Sequence, residues 1–367
     1  MNRHNFSRRG KGLLLGCLPL LALTLVAGCN KKSEDDPAAT EPEGTTTSPA
    51  APVAASDPIS ARLFVASNTT RTIAMYKLDG TYVGFIDLTS TGTGNVTAMA
   101  WVDKTNLLAF FDTGTSGERI LKITFTSDSS YTINANWYSD TTNLSNTTVL
   151  NMHSAGFSTS PLILVSKSAT GLEAIYTNNG YTFAARSGAP YIATSANCPA
   201  TTISYVIRNA TNDRIILAST GANARINVFA ANNACTNAAQ SYNYTSAYPG
   251  NVAYTAVGLA ASASQLFVRY HHASTPVIAA CALDTSVAGT ATAPVTGCAA
   301  LVSDVGMLGV NAASKEMIYE SSNNSLYFPN WDSGAIMLAN ATSGYTIPLI
   351  RDVFSQNVNS ISIRPAN

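Results

Sequence analysis

One short apolar run recurs six times, and this repetition limits the folds open to the chain more than any other feature. The six runs begin 44 to 60 residues apart and cover residues 63–65, 107–111, 162–165, 215–218, 266–268 and 326–328. Polar turns separate them, and no long stretch shows the 3.6-residue period of a helix. Such runs predict β-strands. A chain that repeats one structural unit buries each copy against its neighbours.

Each unit has room for four strands. A second apolar run follows the first, and a third strand often opens with tyrosine, at Tyr82, Tyr131, Tyr181, Tyr242 and Tyr345. The turns between them contain Gly or Asn, which tolerate the positive φ of tight hairpins. A fourth strand precedes each unit, and its predicted start recurs, followed by valine, at Asn95, Asn251, Asp304 and Asn357.

The C-terminal segment 360–365 resembles the strand 98–101 that leads into the second unit, yet no unit follows it. The first unit has little room for such a strand before residue 63. A ring solves both problems, because the C-terminal strand then completes the first sheet and removes free sheet edges. Six units over residues 59–367, about 51 residues each, predict an all-β, six-bladed β-propeller closed by the N- and C-terminal strands.

Alternatives to this arrangement stay open. Seven blades is one. In the sixth unit, residues 317–319 could be the second strand and 326–328 the third. A pair of β-sandwiches or a solenoid would also use many short strands.

The pattern of the units resembles the broad NHL/YVTN class of bacterial propellers. The resemblance covers the whole of residues 59–367 and rests on the order of strands and turns. It implies a six- or seven-bladed propeller.

Residues 1–28 predict a signal peptide of the kind that bacterial lipoproteins carry. Four basic residues up to Lys11 precede an apolar run at 13–26, which is too short for a comfortable transmembrane helix. The run ends in Val26-Ala27-Gly28-Cys29, which resembles a lipobox. This resemblance implies that Cys29 is acylated on sulfur and becomes the N-terminus, and Asn30 after it points to the outer membrane. The alternative is an ordinary signal peptide with a chance cysteine.

Residues 29–58 predict a disordered tether behind the lipidated cysteine. Their Pro, Ala, Thr and Ser cannot bury enough apolar surface to offset the entropy of the chain. The domain assignment is therefore 1–28 signal peptide, 29–58 tether and 59–367 propeller.

Four cysteines follow the tether, and an even number in an exported protein predicts two disulfides. Cys281 and Cys298 flank a predicted hairpin and are expected to pair, which leaves Cys198 with Cys235. Three pairings are open to four cysteines. Without a C-x-x-C spacing, a metal site is not expected.

Candidate binding residues lie in the turns of one propeller face. The rim of that face is predicted to carry Arg71, Asp112, Glu118, Lys167, Asn223, His271, His272, Trp331 and Asp332. The starts of the inner strands would bring Asn95, Asn251, Asp304 and Asn357 to the central channel. A plainer interpretation is that turns are polar because they are exposed to solvent, and that Asn and Asp side chains form hydrogen bonds with backbone groups of the turns.

Composition narrows the function classes. The net charge is zero and only 11% of residues are charged, so nucleic acid is not an expected partner. No G-x-S-x-G elbow occurs, and no clear glutamate is predicted among the channel residues, so calcium would lack ligands. The sequence predicts no cofactor. It favours a lipid-anchored binding or scaffolding protein that recognises an envelope protein or surface glycan. A lactonase- or hydrolase-like propeller enzyme acting on a small sugar-type substrate is the alternative.

Overall fold

Four-stranded antiparallel sheets contain most of the residues that the structure describes. The computed structural model describes residues 57–67, 69–114, 117–139, 149–154, 162–167, 171–178, 182–185, 203–209, 214–219, 226–230, 240–242, 255–283, 295–311, 315–351 and 358–366. Six such sheets, numbered I to VI here, lie within these residues. Outside the described residues lie the predicted signal peptide, the tether to residue 56, and Cys29, Cys198, Cys235, Asn223, Asn251 and Asn357.

The strands follow the predicted units closely. Sheet I contains β1 (Leu63–Ser67), β2 (Thr72–Tyr76), β3 (Tyr82–Asp87) and β24 (Val358–Ile363). Sheet II contains β4 (Asn95–Trp101), β5 (Asn106–Asp112), β6 (Arg119–Ser127) and β7 (Ser130–Ser139). Sheet III contains β8 (Val149–Ser154), β9 (Leu162–Lys167), β10 (Gly171–Asn178) and β11 (Thr182–Ala185).

The remaining sheets repeat this order. Sheet IV contains β12 (Ile203–Asn209), β13 (Arg214–Ser219), β14 (Ile226–Ala230) and β15 (Gln240–Tyr242). Sheet V contains β16 (Thr255–Ala261), β17 (Gln265–His271), β18 (Val277–Leu283) and β19 (Val295–Val302). Sheet VI contains β20 (Ile318–Glu320), β21 (Ser325–Asn330), β22 (Ala335–Asn340) and β23 (Thr346–Ile350). A 3₁₀ turn, η1 (Thr89–Thr91), and a one-turn helix, α1 (Val305–Leu308), complete the described elements.

Sheet I joins the two ends of the described chain. Its strand order is β24-β1-β2-β3, and β24 pairs antiparallel with β1, with Ile363 opposite Leu63 and Ile361 opposite Val65. The other five sheets use four consecutive strands each. From here on, strands are counted across each sheet, starting at the edge strand that precedes the recurring run; the recurring run thus lies in the second strand of its sheet. The six first strands in this count, β24, β4, β8, β12, β16 and β20, are named the inner strands here.

Burial explains why one run per unit stood out in the sequence. The second strand of a sheet is buried along nearly its whole length, as in β5 and β21. Such a strand has apolar neighbours on both faces, so its sequence is continuously apolar. The fourth strands β3 and β23 are only partly buried, with one fully buried residue each, and Gly84 and Pro348 interrupt their apolar residues.

Neighbouring sheets pack face to face through apolar clusters. Between sheets I and II, the Phe64 ring lies 4.8 Å from Trp101 and 5.6 Å from Phe125, centroid to centroid. Between sheets VI and I, Tyr327 lies in a cluster with Val65 and Ile361. Each buried aromatic side chain contributes roughly 1.5–3 kcal/mol through burial alone.

Polar contacts fix the first described residues against sheets I and II. Arg364, just after β24, donates to Ile59 O, Lys104 O and Asp57 Oδ2. Asp128 accepts from Ser60 N and Ser60 Oγ, and from Ala61 N. These contacts hold residues 57–61 beside the C-terminal strand.

The sixth unit differs from the sequence prediction. Asp304 does not begin a strand; it is the N-cap of α1 and accepts from Gly306 N at 2.8 Å. A capping Asp and a strand-starting Asp look alike in sequence, since both satisfy backbone amides. The inner strand of this sheet is Ile318–Glu320, so the alternative that made 317–319 a second strand is wrong. The recurring run at 326–328 lies in the second strand, β21.

Cys281 of β18 and Cys298 of β19 form a disulfide with an S–S distance of 2.06 Å, which confirms this predicted pair.

Within the described residues, no helix is long and apolar enough to cross a membrane.

Candidate functional site

Among the described residues, the turns that join second to third strands and the links between sheets lie at one end of the sheets, named the upper end here. This follows from antiparallel order, because a second strand ends where the first strand begins. Seven of the predicted rim residues lie in or beside these turns: Arg71, Asp112, Glu118, His271, His272, Trp331 and Asp332. Lys167 is the last residue of β9, at the upper end of sheet III.

Three rim side chains bond to the backbone of their own or a neighbouring loop. Arg71 Nη1 donates to Gly92 O at 2.7 Å, in the link from sheet I to sheet II. Asp112 Oδ1 accepts from Gly114 N at 2.8 Å. Glu118 is buried, and its Oε2 accepts from Gly117 N at 3.2 Å. These side chains fix the shape of the upper end.

Two rim residues from different sheets hold one loop residue, Val310. His271 of sheet V donates from Nε2 to Val310 O at 2.9 Å. Asp332 of sheet VI accepts from Val310 N at 2.6 Å through Oδ2. Both backbone polar atoms of Val310 are thus bonded, while the residue as a whole is 38% exposed. We name His271, Val310 and Asp332 the Val310 clamp.

The second histidine of the pair serves its own turn. His272 Nδ1 accepts from Ser274 N at 3.2 Å and from Thr275 N at 3.1 Å. Adjacent strand residues point to opposite faces, and here the two imidazoles bond to different loops. Among the residues that the structure describes, no group of three or more His, Cys, Asp or Glu side chains could hold a metal ion.

The link that carries Val310 is itself ordered by side chains. Asp304 caps the start of α1, and Asn330 Nδ2 donates to Gly306 O and Met307 O at 2.8 and 3.1 Å. Val305 on α1 is 40% exposed. The link therefore presents two exposed valines, beside the half-buried Trp331, on a backbone that sheets V and VI both hold.

Of the predicted channel residues, Asn95 begins β4 and lies opposite Asp112 in the register of β4 and β5. Asp304 caps α1, as described above.

Glu316 is the residue that the sequence analysis missed. It precedes the inner strand β20, is 3% exposed, and connects three sheets. Its amide donates to Val257 O of sheet V at 3.3 Å. Its carboxylate accepts from Ser360 Oγ at 3.0 Å and from Ile361 N at 2.6 Å, both in β24 of sheet I. Burial raises the pKa of this carboxyl to about 8, against the opposing effect of the two hydrogen bonds.

Arg269 of β17 supports the same region from sheet V. It is buried and donates to Glu316 O at 3.2 Å, Lys315 O at 3.3 Å and Leu308 O at 2.7 Å. Its guanidinium lies 5.2 Å from the centroid of the Phe328 ring. The sequence signal for Glu316 was a glutamate directly before the short apolar run 317–319. It was missed because the sequence analysis predicted that the inner strand begins at Asp304.

Comparisons with solved structures find similar folds at low sequence identity. A chain of the nidogen/laminin complex is 9% identical, with a TM-score of 0.54 over 83% of this chain and 98% of that one. A protein of unknown function from Bacteroides caccae is 11% identical, with a TM-score of 0.50 over 83% of this chain and 99% of that one. A Lactobacillus plantarum protein is 12% identical, with a TM-score of 0.50 and the same coverage.

No protein-family model and no curated protein matches the sequence. The structural neighbours are β-propeller proteins, so the likeness supports the all-β fold of four-stranded sheets.

Replacing Gly258 tests the packing around Glu316. A Cβ there would lie 3.1 Å from the carbonyl carbon of Glu316. Because this neighbour is a backbone atom and not the end of a flexible side chain, it cannot move aside easily. We expect Gly258→Ala to lower the free energy of unfolding by about 1–3 kcal/mol in urea titrations, because inner strands must move apart.

Gly84→Ala is the matched control, since its Cβ would meet only the flexible Met75 Cε at 3.3 Å. We expect a change below about 0.5 kcal/mol there. Equal losses in both variants would show that the Gly258 contact has no special role.

Proposed function

We propose that sheets I to VI are the six blades of a closed β-propeller. The support is a cycle of contacts between inner strands: β24 with β4, β4 with β8, β8 with β12, β12 with β16, β16 with β20, and β20 with β24. Apolar clusters span the boundaries I/II, II/III, IV/V, V/VI and VI/I. Asn359 of sheet I adds a polar link, because its Nδ2 donates to Val96 O of sheet II at 2.7 Å.

The proposed function is recognition of another envelope protein by the upper end of this propeller. The observation that carries it is the Val310 clamp, which fixes an exposed apolar residue with side chains from two blades. Rigid presentation lowers the entropy lost on binding, and exposed apolar groups within a polar rim are typical of protein interfaces. A surface glycan is the alternative partner.

The enzyme alternative has less support. Glu316 is a carboxyl beside the inner strands, but its burial and its bonds to β24 keep it from a substrate. The rim carboxylates of Asp112, Glu118 and Asp332 are bonded to loop backbone. Hydrolysis of a glycosidic bond needs two carboxyl groups that reach the substrate.

The proposed location is the outer membrane, with a lipid on Cys29. The support is the lipobox-like Val26-Ala27-Gly28-Cys29 after an apolar run. The contacts of Asp57 with Arg364 and of Ser60 with Asp128 lie at the lower end, where first strands meet second and third strands meet fourth. In this arrangement the Val310 clamp lies at the end opposite to Asp57.

Photo-crosslinking tests the recognition surface. We expect a photoreactive amino acid in place of Val310 to capture one envelope protein in intact cells, and Val305→Asp in the same chain to reduce the adduct at least about tenfold. A photoreactive residue in place of Tyr345 is the control, since Tyr345 is 72% exposed beside a lower-end turn. Equal adducts at both positions, or none at Val310, would contradict the proposal.

Substitution of the predicted lipid attachment site tests the anchor. We expect Cys29→Ser to move the protein from the membrane pellet to the soluble fraction and to remove the acyl mass, because serine cannot form the thioether. Cys17→Ser, within the predicted signal peptide, is the control and should stay in the pellet. An unsubstituted protein with no acyl mass on Cys29 would exclude lipid anchoring at this position.

A further inference from the structure

The boundary between sheets VI and I contains a buried ionisable group where apolar contacts would suffice. Glu316 is 3% exposed, and Ser360, which contacts it, has no exposed surface. Ile361, whose amide contacts Glu316, belongs to the buried apolar cluster between sheets VI and I, together with Tyr327, Ile336 and Val358. A carboxyl in such a place costs stability when ionised, unless its bonds compensate for lost water.

The bonds of Glu316 suit both protonation states. Ile361 N lies in an edge strand and donates to Glu316 Oε2, so it points away from β1. The other oxygen, Oε1, faces the Ser360 hydroxyl at 3.0 Å. A hydroxyl both donates and accepts. Ser360 therefore donates to an ionised carboxylate and accepts from a neutral carboxyl, without a change in position.

Two cationic residues, Arg269 and Lys315, act on the Glu316 carboxyl. Sheet V contributes Arg269, whose guanidinium bonds to the main-chain oxygens of Glu316, Lys315 and Leu308. Lys315 is the neighbouring residue in the chain. In sheet I, Ser360 and Ile361 carry no charge, and in sheet V, Val257 and Gly258 carry none. Both cations favour the ionised carboxyl, but burial has the larger effect and opposes it.

We propose that Glu316 is a proton-controlled latch between sheets VI and I: the neutral carboxyl holds β24 firmly, and the ionised carboxylate loosens the contact. The latch would act where the two ends of the chain meet in one sheet. It depends on the contacts of Glu316 and not on the identity of any partner at the upper end.

The direction of the pH effect follows from proton linkage. The pKa of Glu316 is raised by burial from 4.5 to about 8 in the folded protein. The folded state therefore holds one proton more than the unfolded state between these values. The stabilisation of the folded state by neutral Glu316 is therefore complete below about pH 4.5, and it is lost as the pH rises through about 8.

Urea unfolding from pH 5 to pH 9.5 tests the latch. Relative to Glu316→Gln, we expect the unfolding equilibrium constant of the unsubstituted protein to increase at least tenfold between pH 5.5 and pH 8, and then to level off. Glu320→Gln is the matched control, because Glu320 ends β20, four residues after Glu316, and its carboxylate pairs with Arg62 at 3.1 Å. It should keep the pH dependence of the unsubstituted protein.

A local measurement separates a latch from a general pH effect. After correction for intrinsic exchange rates, hydrogen exchange of residues 358–363 should accelerate between pH 5.5 and pH 8 in the unsubstituted protein and level off above pH 8, and it should show no such change in Glu316→Gln. If Glu316→Gln does not fold, Ser360→Ala replaces it in the test. This substitution removes the hydroxyl that donates to the ionised Glu316 carboxylate, so the pH at which the unfolding equilibrium constant levels off should rise by at least half a unit. The same pH dependence in Glu316→Gln, or no rise of that pH in Ser360→Ala, would overturn the proposal.

Discussion

The antiparallel pairing of β1 with β24 is the contact on which the rest of the structure depends. Each four-stranded sheet has two apolar faces, and a single sheet cannot bury both. Sheets in an open row would leave one apolar face exposed at each end. By joining its first and last strands in sheet I, the chain places that sheet between sheets II and VI.

Side chains from several parts of the chain converge on this junction. Arg364 bonds to residues 57–59 and to the turn before β5, while Glu316 bonds to β24 from sheet VI. Glu316 contacts the middle of β24, and Arg364 lies directly after its last residue. A junction with both apolar and polar contacts favours one register over a slipped one, because a one-residue slip would reverse every side chain of β24.

The repeat allowed most of the fold to be predicted from sequence, because second strands such as β5 and β21 are apolar on both faces. The sixth unit was harder, since the capping role of Asp304 and a strand start have the same local chemistry. The upper-end turns could be located from strand order, but their bonds could not. That His271 and Asp332 meet at Val310 depends on two sheets and a link that are distant in sequence. The role of Glu316 could not be predicted for the same reason, because its partners Ser360 and Ile361 are over forty residues away in the sequence.

Cysteine crosslinking across sheet I tests the junction most directly. Leu63 and Ile363 lie opposite each other in the register, at a separation suited to a disulfide. The double variant Leu63→Cys, Ile363→Cys should form this bridge under mild oxidation, and mass spectrometry should find the two terminal peptides joined. The diagonal pair Leu63→Cys, Ile361→Cys should form it far less readily. Efficient bridging of the diagonal pair, or no bridging of the register pair in the folded protein, would contradict the pairing of the first and last strands.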